Sequence, residues 1–207
     1  MNLIFGLCAS LLTINPSKTP IVRWKEQLLI QDFAENLVVN SHLQQLCLVS
    51  VNDLSQVIGS LQFIDKRLGN STSRGFFWNA NEFESFADLG PCFINDLGDI
   101  VFSRTINKQC CVYMRQNDEV VLIQRNARAT AINNNGVVVG DRGRQSFGDD
   151  EKAWVYLDGV SYDLFDLVVD ISGWKTLNLA LDINDSGQIV GYGLRNGKVT
   201  GFLLNPL

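Results

Sequence analysis

The apolar residues of this chain arrive in short bursts. "CVYM" (111–114), "EVVLIQR" (119–125), "VVVGD" (137–141), "AWVYL" (153–157) and "GFLL" (201–204) are β-branched or aromatic runs, closed off by Asn, Asp and Gly. Runs of this length with turn residues between them read as buried or half-buried strands, because side chains alternate between the two faces of a pleated strand. No stretch keeps a 3.6-residue period over three turns. The nearest is "WKEQLLIQDFAENL" (24–37), where Leu28, Leu29 and Phe33 fit one helical face. The pattern predicts a nearly all-β chain.

The bursts recur in a fixed phrase. "SVNDLSQVIGS" (50–60), "FINDLGDIVFS" (93–103), "AINNNGVVVGD" (131–141) and "DINDSGQIVGY" (182–192) share apolar-Asn-x-x-Gly-x-apolar-apolar-Gly, with the asparagines at Asn52, Asn95, Asn133 and Asn184. Their spacing of roughly 40–50 residues is that of a structural repeat. The phrase has a conformational reason. Asn at the first position of a type I turn bonds its side chain forward to the backbone, and Gly at the fourth takes the left-handed conformation, which makes a hairpin with a G1 bulge. Two copies depart: Ser55 stands where Gly is wanted, which predicts a strained turn or another type, and Phe102 replaces the terminal glycine.

Each phrase is followed by an aromatic strand, "GFFWNAN" (75–81), "CVYMRQND" (111–118), "AWVYLDG" (153–159) and "GFLLNP" (201–206), and three of these by a further run, "FESFADLG" (83–90), "EVVLIQR" and "VSYDLFDL" (160–167). The N-terminal stretch fits the same scheme, with "LIFG" (3–6), "IVRWKEQ" (21–27) and "LLIQDF" (28–33). The predicted unit is four short strands, and the chain holds eighteen strands or four and a half units, at 1–50, 51–92, 93–130, 131–181 and 182–207. Such units bury both faces only against their neighbours, so the expected architecture is a propeller-like array of about 4.5 to 5 blades. An irregular β-sandwich or an open β-solenoid is the alternative. A half unit at each end closes a ring through one mixed blade or belongs to a longer array, and an unpaired edge invites self-association.

The phrase and its aromatic strand resemble the bacterial HAF repeat, in which Ala-x-x-Ile-Asn-x-x-Gly-x-Val-Val-Gly is followed by a His-Ala-Phe triplet and a polar turn. "GWKTLNLALDINDSGQIVGYGLRNGKVTGFLLNP" (173–206) is the nearest copy, with Thr200-Gly201-Phe202 in place of the triplet and Arg74-Gly75-Phe76 in the second unit. The likeness covers nearly the whole chain and weakens toward the N-terminus. It implies a repetitive bacterial protein, extracellular or surface-located, and it brings no activity or catalytic residues.

Composition narrows the function classes. With 207 residues, 46% of them hydrophobic, the chain is long enough to bury a core. A formal charge of −5 without a basic run excludes an electrostatic footprint for nucleic acid. Cys8, Cys47, Cys92, Cys110 and Cys111 show no C-x-x-C spacing, and His42 is the lone histidine, so free thiols are expected and a zinc site is not. The apolar run Leu3 to Leu12 has no basic residue before it and is too short to span a membrane, so no clear signal peptide is seen. No cofactor motif is present.

Chemistry is expected on the connections of unequal length, since loops tolerate change on a rigid scaffold. Two stand out: "LQFIDKRLGNSTSRG" (61–75) with Asp65, Lys66, Arg67 and Arg74, and "DRGRQSFGDDEKA" (141–153) with Arg142, Arg144, Asp149, Asp150 and Glu151. They join equivalent strands and so lie on one face of a ring. The acids of the second loop lack the spacing of a calcium loop. Ser41 and His42 are adjacent on an extended strand and point to opposite faces, which argues against a nucleophile–base pair. Trp24, Trp78, Met114, Tyr156 and Leu204 take one repeat position and read as inter-blade core. The sequence thus supports a non-enzymatic β-repeat scaffold presenting loops or an edge to a protein or glycan. The competing reading is a propeller-type carbohydrate-active hydrolase or lyase with acids lining a channel.

Overall fold

The structure, a computed structural model, describes residues 41–65, 67–79, 82–87, 89–143 and 151–207. Its strands form four antiparallel sheets, each a meander in chain order. Sheet 1 holds β1 (Ser41–Val51), β2 (Val57–Asp65), β3 (Ser71–Trp78) and β4 (Phe83–Ala87), and sheet 2 holds β5 (Gly90–Ile94), β6 (Ile100–Ile106), β7 (Gln109–Gln116) and β8 (Glu119–Arg125). Sheet 3 holds β9 (Ala127–Ile132), β10 (Val138–Arg142), β11 (Lys152–Leu157) and β12 (Val160–Asp163). A 3-10 turn (Leu164–Leu167), capped by the Asp163 carboxylate, leads to sheet 4, with β13 (Trp174–Ile183), β14 (Ile189–Arg195) and β15 (Lys198–Leu204). The chain is all-β, and among the described residues no helix is long and apolar enough to cross a membrane. The strands expected at 3–6, 21–27 and 28–33, the helical candidate at 24–37, Trp24 and Cys8 lie outside the described residues. Each sheet begins one strand before its Asn turn, whereas the sequence units are phased on the turn itself.

All four phrases make the same hairpin. The N–H of the fourth residue donates to the Asn carbonyl at 3.0–3.1 Å, from Ser55, Gly98, Gly136 and Gly187 in turn, and each Asn N–H donates to the carbonyl four residues on. The glycines have φ of 83°, 74° and 76°, and Ser55 follows them at 60°. The first turn is therefore of the common type and strained, because a Cβ in the left-handed region crowds the backbone by about 1–2 kcal/mol. The terminal glycine of the phrase has a separate cause. In sheets 1 and 4 it lies opposite the phenylalanine of the aromatic strand, Gly59 facing Phe76 and Gly191 facing Phe202. A Cβ on Gly191 would come 2.5 Å from the Phe202 ring.

The sheets stack face to face in chain order. Ile58, Phe77 and Phe86 of sheet 1 pack on Ile94, Ile100 and Phe102 of sheet 2, and Val101, Val112 and Met114 on the other face of that sheet pack on Val138 and Trp154 of sheet 3. Val139, Val155 and Leu164 then meet Leu177, Ile189 and Phe202 of sheet 4. Phe102, in place of the repeat glycine, fills its layer and sets its ring edge-on to Phe86 at 4.9 Å. The register corrects one equivalence. Arg115, not Met114, takes the place of Trp78, Tyr156 and Leu204, each paired with the residue that opens the second strand. Its guanidinium covers the Phe77 and Phe86 rings at 5.8 and 5.7 Å, so a cation closes a layer that aromatic and aliphatic groups close elsewhere.

A ladder of side-chain hydrogen bonds fixes this stacking. Each turn asparagine accepts from backbone N–H groups of its own turn, and the first three use their amide to donate across to the next sheet. Asn52 Nδ2 donates to the Asn95 carbonyl at 2.8 Å, Asn95 to that of Asn133 at 3.1 Å, and Asn133 to that of Asn184 at 3.0 Å. One residue on, a second rail runs the same way. The N–H groups of Asp53, Asp96 and Asn134 each donate at 2.8 Å to the side chains of Asp96, Asn134 and Asp185 respectively. These rails put all four Asn turns at one end of the stack, so the connections between second and third strands all lie at the other. After β15 the chain turns back toward the ladder: Gln188 Nε2 donates to Asn205 Oδ1 at 2.7 Å, and Pro206 lies against Gly187.

Candidate functional site

The end opposite the ladder carries both unequal loops, and the charges that single them out in the sequence have local partners. The Asp65 carboxylate accepts from the N–H groups of Arg67 and Leu68 at 2.8 and 2.6 Å and so shapes its own turn. Those bonds, Leu68 first, hold its pKa below the usual value. Arg67 is exposed. Arg74 lies on β3, half-buried, and donates to Ser85 Oγ at 3.2 Å, while its buried Nε has no hydrogen-bond partner among the described residues. Arg142 Nη2 pairs with Asp163 Oδ2 at 3.0 Å, beside Lys152 Nζ at 3.3 Å, and thereby ties the base of the second loop to the cap of the 3-10 turn. The Glu151 carbonyl accepts from Asn178 Nδ2 at 3.1 Å. Lys66, Arg144, Asp149 and Asp150 lie outside the described residues. The two loops belong to sheets 1 and 3, and sheet 2 stands between them with only the tight turn Asn107–Lys108.

Between sheets 2 and 3, at this same end, lies a cleft of about 190 Å³ lined by Thr105, Lys108, Cys110, Asn126, Ala127, Arg128 and Asp141. Asp141 is its fixed point. The residue is 2% exposed, pairs across strands with Arg128, and receives both carboxylate contacts from Arg128 Nη2 at 2.9 and 3.1 Å. Beneath it the fully buried Trp154 donates its indole N–H to the carbonyls of Arg128 and Asp141 at 3.2 and 3.1 Å, so the floor of the cleft is rigid. Cys110 on the wall has its pKa raised, chiefly by burial and then by the neighbouring Cys92 and Cys111, and stays a neutral thiol. Burial likewise raises Cys92. Among the described residues Cys47, Cys92, Cys110 and Cys111 are free thiols.

This arrangement offers a hydroxyl, a side-chain amide, two cations and one charge-paired carboxylate, which suits small polar or anionic groups. Its volume is below the roughly 300–1,000 Å³ of pockets that enclose a drug-sized ligand. Glycoside hydrolysis needs a second carboxyl across a substrate, and Asp141 is the single acid in the lining. Among the described residues no group of three His, Cys, Asp or Glu side chains is placed to hold a metal ion. His42 lies on β1, opposite Ile64. The sequence held one signal for this cleft: Asp141 occupies the repeat position filled by Ser60, Ser103 and Tyr192 in the other copies, so it is the one charge at that position.

No family model matches this chain, and no curated protein matches it. Two solved structures are similar to it. The acylaminoacyl peptidase of Pyrococcus horikoshii, in an orthorhombic crystal form, is 15% identical over 78% of this chain and 38% of its own, with a TM-score of 0.43. An acylaminoacyl peptidase in complex with Z-Gly-Gly-Phe-chloromethyl ketone is 14% identical over 77% of this chain and 33% of its own, with a TM-score of 0.41. The present chain thus spans well under half the length of either.

Proposed function

We propose that this chain is a propeller-like, non-enzymatic scaffold of the HAF-repeat kind that holds a protein or glycan partner at the end opposite its Asn turns. The observation that carries the reading is the division between the two ends of the stack. One is locked by paired ladders of hydrogen bonds. The other gathers the unequal connections and a polar cleft floored by a rigid indole. A surface with fixed spacing and variable loops is how a repeat scaffold adapts to a ligand without altering its core. The resemblance to HAF repeats adds an extracellular or surface setting, where glycans and proteins are the available partners.

The test replaces residues 143–151 by an Asn-Gly turn like that of sheet 4 and adds Arg128→Ala as a second variant. Binding of the full chain to an array of oligosaccharides and surface proteins is compared with thermal unfolding. The expected result is a near-native melting temperature in the loop variant, with loss of the ligand that the wild-type chain retains. An array on which wild type and loop variant behave alike refutes the proposal. Hydrolysis of any arrayed glycan by the wild-type chain, abolished in Asp141→Asn, establishes the competing enzyme.

A further inference from the structure

We infer that Asn196 is a modification site, which converts spontaneously to aspartate and isoaspartate through a cyclic imide formed with Gly197. The chemistry needs only water. The Gly197 nitrogen attacks Asn196 Cγ and gives up its proton to solvent, the Cγ–Nδ2 bond breaks, and ammonia leaves. Water then adds to either imide carbonyl, which restores the main chain as aspartate or reroutes it through the side chain as isoaspartate. Nothing is oxidised or reduced. Glycine as the next residue favours the ring, because no Cβ hinders its nitrogen and its backbone turns freely.

The chain holds two Asn-Gly pairs, Asn135–Gly136 and Asn196–Gly197, and their surroundings differ. At Asn135 the reacting groups are engaged. Its side-chain amide donates to the Asp185 carbonyl at 2.8 Å, its N–H to Asn133 Oδ1 at 3.0 Å, and the Gly136 N–H to the Asn133 carbonyl at 3.1 Å. At Asn196 they are open: among the described residues neither its carboxamide, which lies against Gly173, nor the Gly197 N–H makes a hydrogen bond. The Asn196 N–H donates to the Gly173 carbonyl at 2.8 Å, and that bond involves neither reacting atom. The pair is an exposed two-residue turn between Arg195 and Lys198, with φ of 50° and 75°, so closing the ring costs only local fraying. The two flanking cations favour the anionic nitrogen that attacks.

Other hairpins separate the effect of the glycine from that of the turn. Asn107–Lys108 and Asn117–Asp118 make the same two-residue turn, with φ of 50° and 67° and of 51° and 64°, but a side chain follows the asparagine. Asp158–Gly159 makes it too, with φ of 51° and 82°, so the aspartate product fits the turn of sheet 4. Isoaspartate adds a methylene to the main chain of the turn that sets the register of β14 on β15. The turn lies at the end opposite the ladder, so the new carboxylate appears on the face that carries the unequal loops.

Timed incubation of the full chain, followed by peptide mass mapping with fragmentation that distinguishes aspartate from isoaspartate, tests the inference. Conversion at Asn196 is expected to run about tenfold or more faster than at Asn135, Asn107 or Asn117. Its rate should rise with pH, and in isotopically labelled water the product should carry the label. Gly197→Lys copies the Asn107–Lys108 turn, so it keeps the hairpin and is expected to slow conversion about tenfold or more. In the urea-unfolded chain Asn135 loses its bonds and is expected to approach the rate of Asn196. Equal rates at Asn135 and Asn196 in the folded chain, an unconverted Asn196, a Gly197→Lys variant that converts like wild type, or protection of Asn135 that survives unfolding each overturns it.

Discussion

Asn133→Ala measures how much of the stability rests on the ladder rather than on the apolar layers. Asn133 is 3% exposed. Its Oδ1 accepts from the N–H groups of Asn135 and Val137 at 3.0 and 2.9 Å, and its Nδ2 donates to Asn184 at 3.0 Å. Alanine removes three bonds, each with a net worth of about 0.5–1.5 kcal/mol, and leaves their partners to find water, so the loss should be about 3 kcal/mol. For a chain of this size that lowers Tm by roughly 6–12 °C. Asn184→Ala is the internal control. Among the described residues its side chain bonds only within its own exposed turn, through Gln188, so the loss should be about 1 kcal/mol. Urea unfolding followed by circular dichroism compares the two. Equal losses, or an Asn133→Ala variant within about 0.5 kcal/mol of wild type, would refute the claim that the cross-sheet bond distinguishes these asparagines.

Other consequences are simpler to read. Ser55→Gly relieves a left-handed φ of 60° and should stabilise the chain by about 1 kcal/mol in the same assay. Gly187→Val forces a β-branched residue to φ 76° and sets its Cβ 3.3 Å from Pro206, so a loss of about 2 kcal/mol is expected, with ligand binding of the folded fraction unchanged. The Asp96 carboxyl is held below its ordinary value of 3.8 first by the Asp53 N–H and then by the Asn134 amide. Its contribution is therefore complete above that value and is lost as the pH falls through the lowered one. Urea midpoints measured down to about pH 3 should fall more steeply for wild type than for Asp96→Asn. Parallel curves would show that this rail contributes nothing.

Strands and turns were legible in the sequence because both rest on local rules. "VVVGD", "AWVYL" and the Asn-x-x-Gly turns are decided by side chains within a few residues of one another, and the second, third and fourth copies agree. Ser55 shows the limit of those rules: the local preference argues against the turn, and stacking on the next sheet imposes it all the same. The ladder was less visible. That an asparagine is needed for its own turn is a local statement, whereas the destination of its second amide hydrogen depends on which sheet lies alongside. The same holds for Arg74 and Arg142, which look like free loop charges and are tied to Ser85 on the neighbouring strand and to Asp163 two strands away. Asp141 is the reverse case: it stands at the head of the stretch 141–153 and is not among the loop charges singled out there. Only the structure places Arg128 opposite it and Trp154 beneath it.

The ladder also bears on how such a chain can change. Spacing between sheets is set at the Asn turns, by bonds that join backbone and side chains of neighbouring hairpins directly, and among the described residues none of a second-to-third connection takes part. An insertion there lengthens the chain without moving any rung. The three intervals between turn asparagines, 43, 38 and 51 residues, already differ, through the second-to-third connections and through the segment 164–173 before β13, while the cross-sheet bonds stay at 2.8–3.1 Å. Natural variation and engineering alike can therefore graft segments onto the connection 142–152 and leave the pitch of the stack untouched. A single residue added between Asn133 and Gly136 would throw every later sheet out of step.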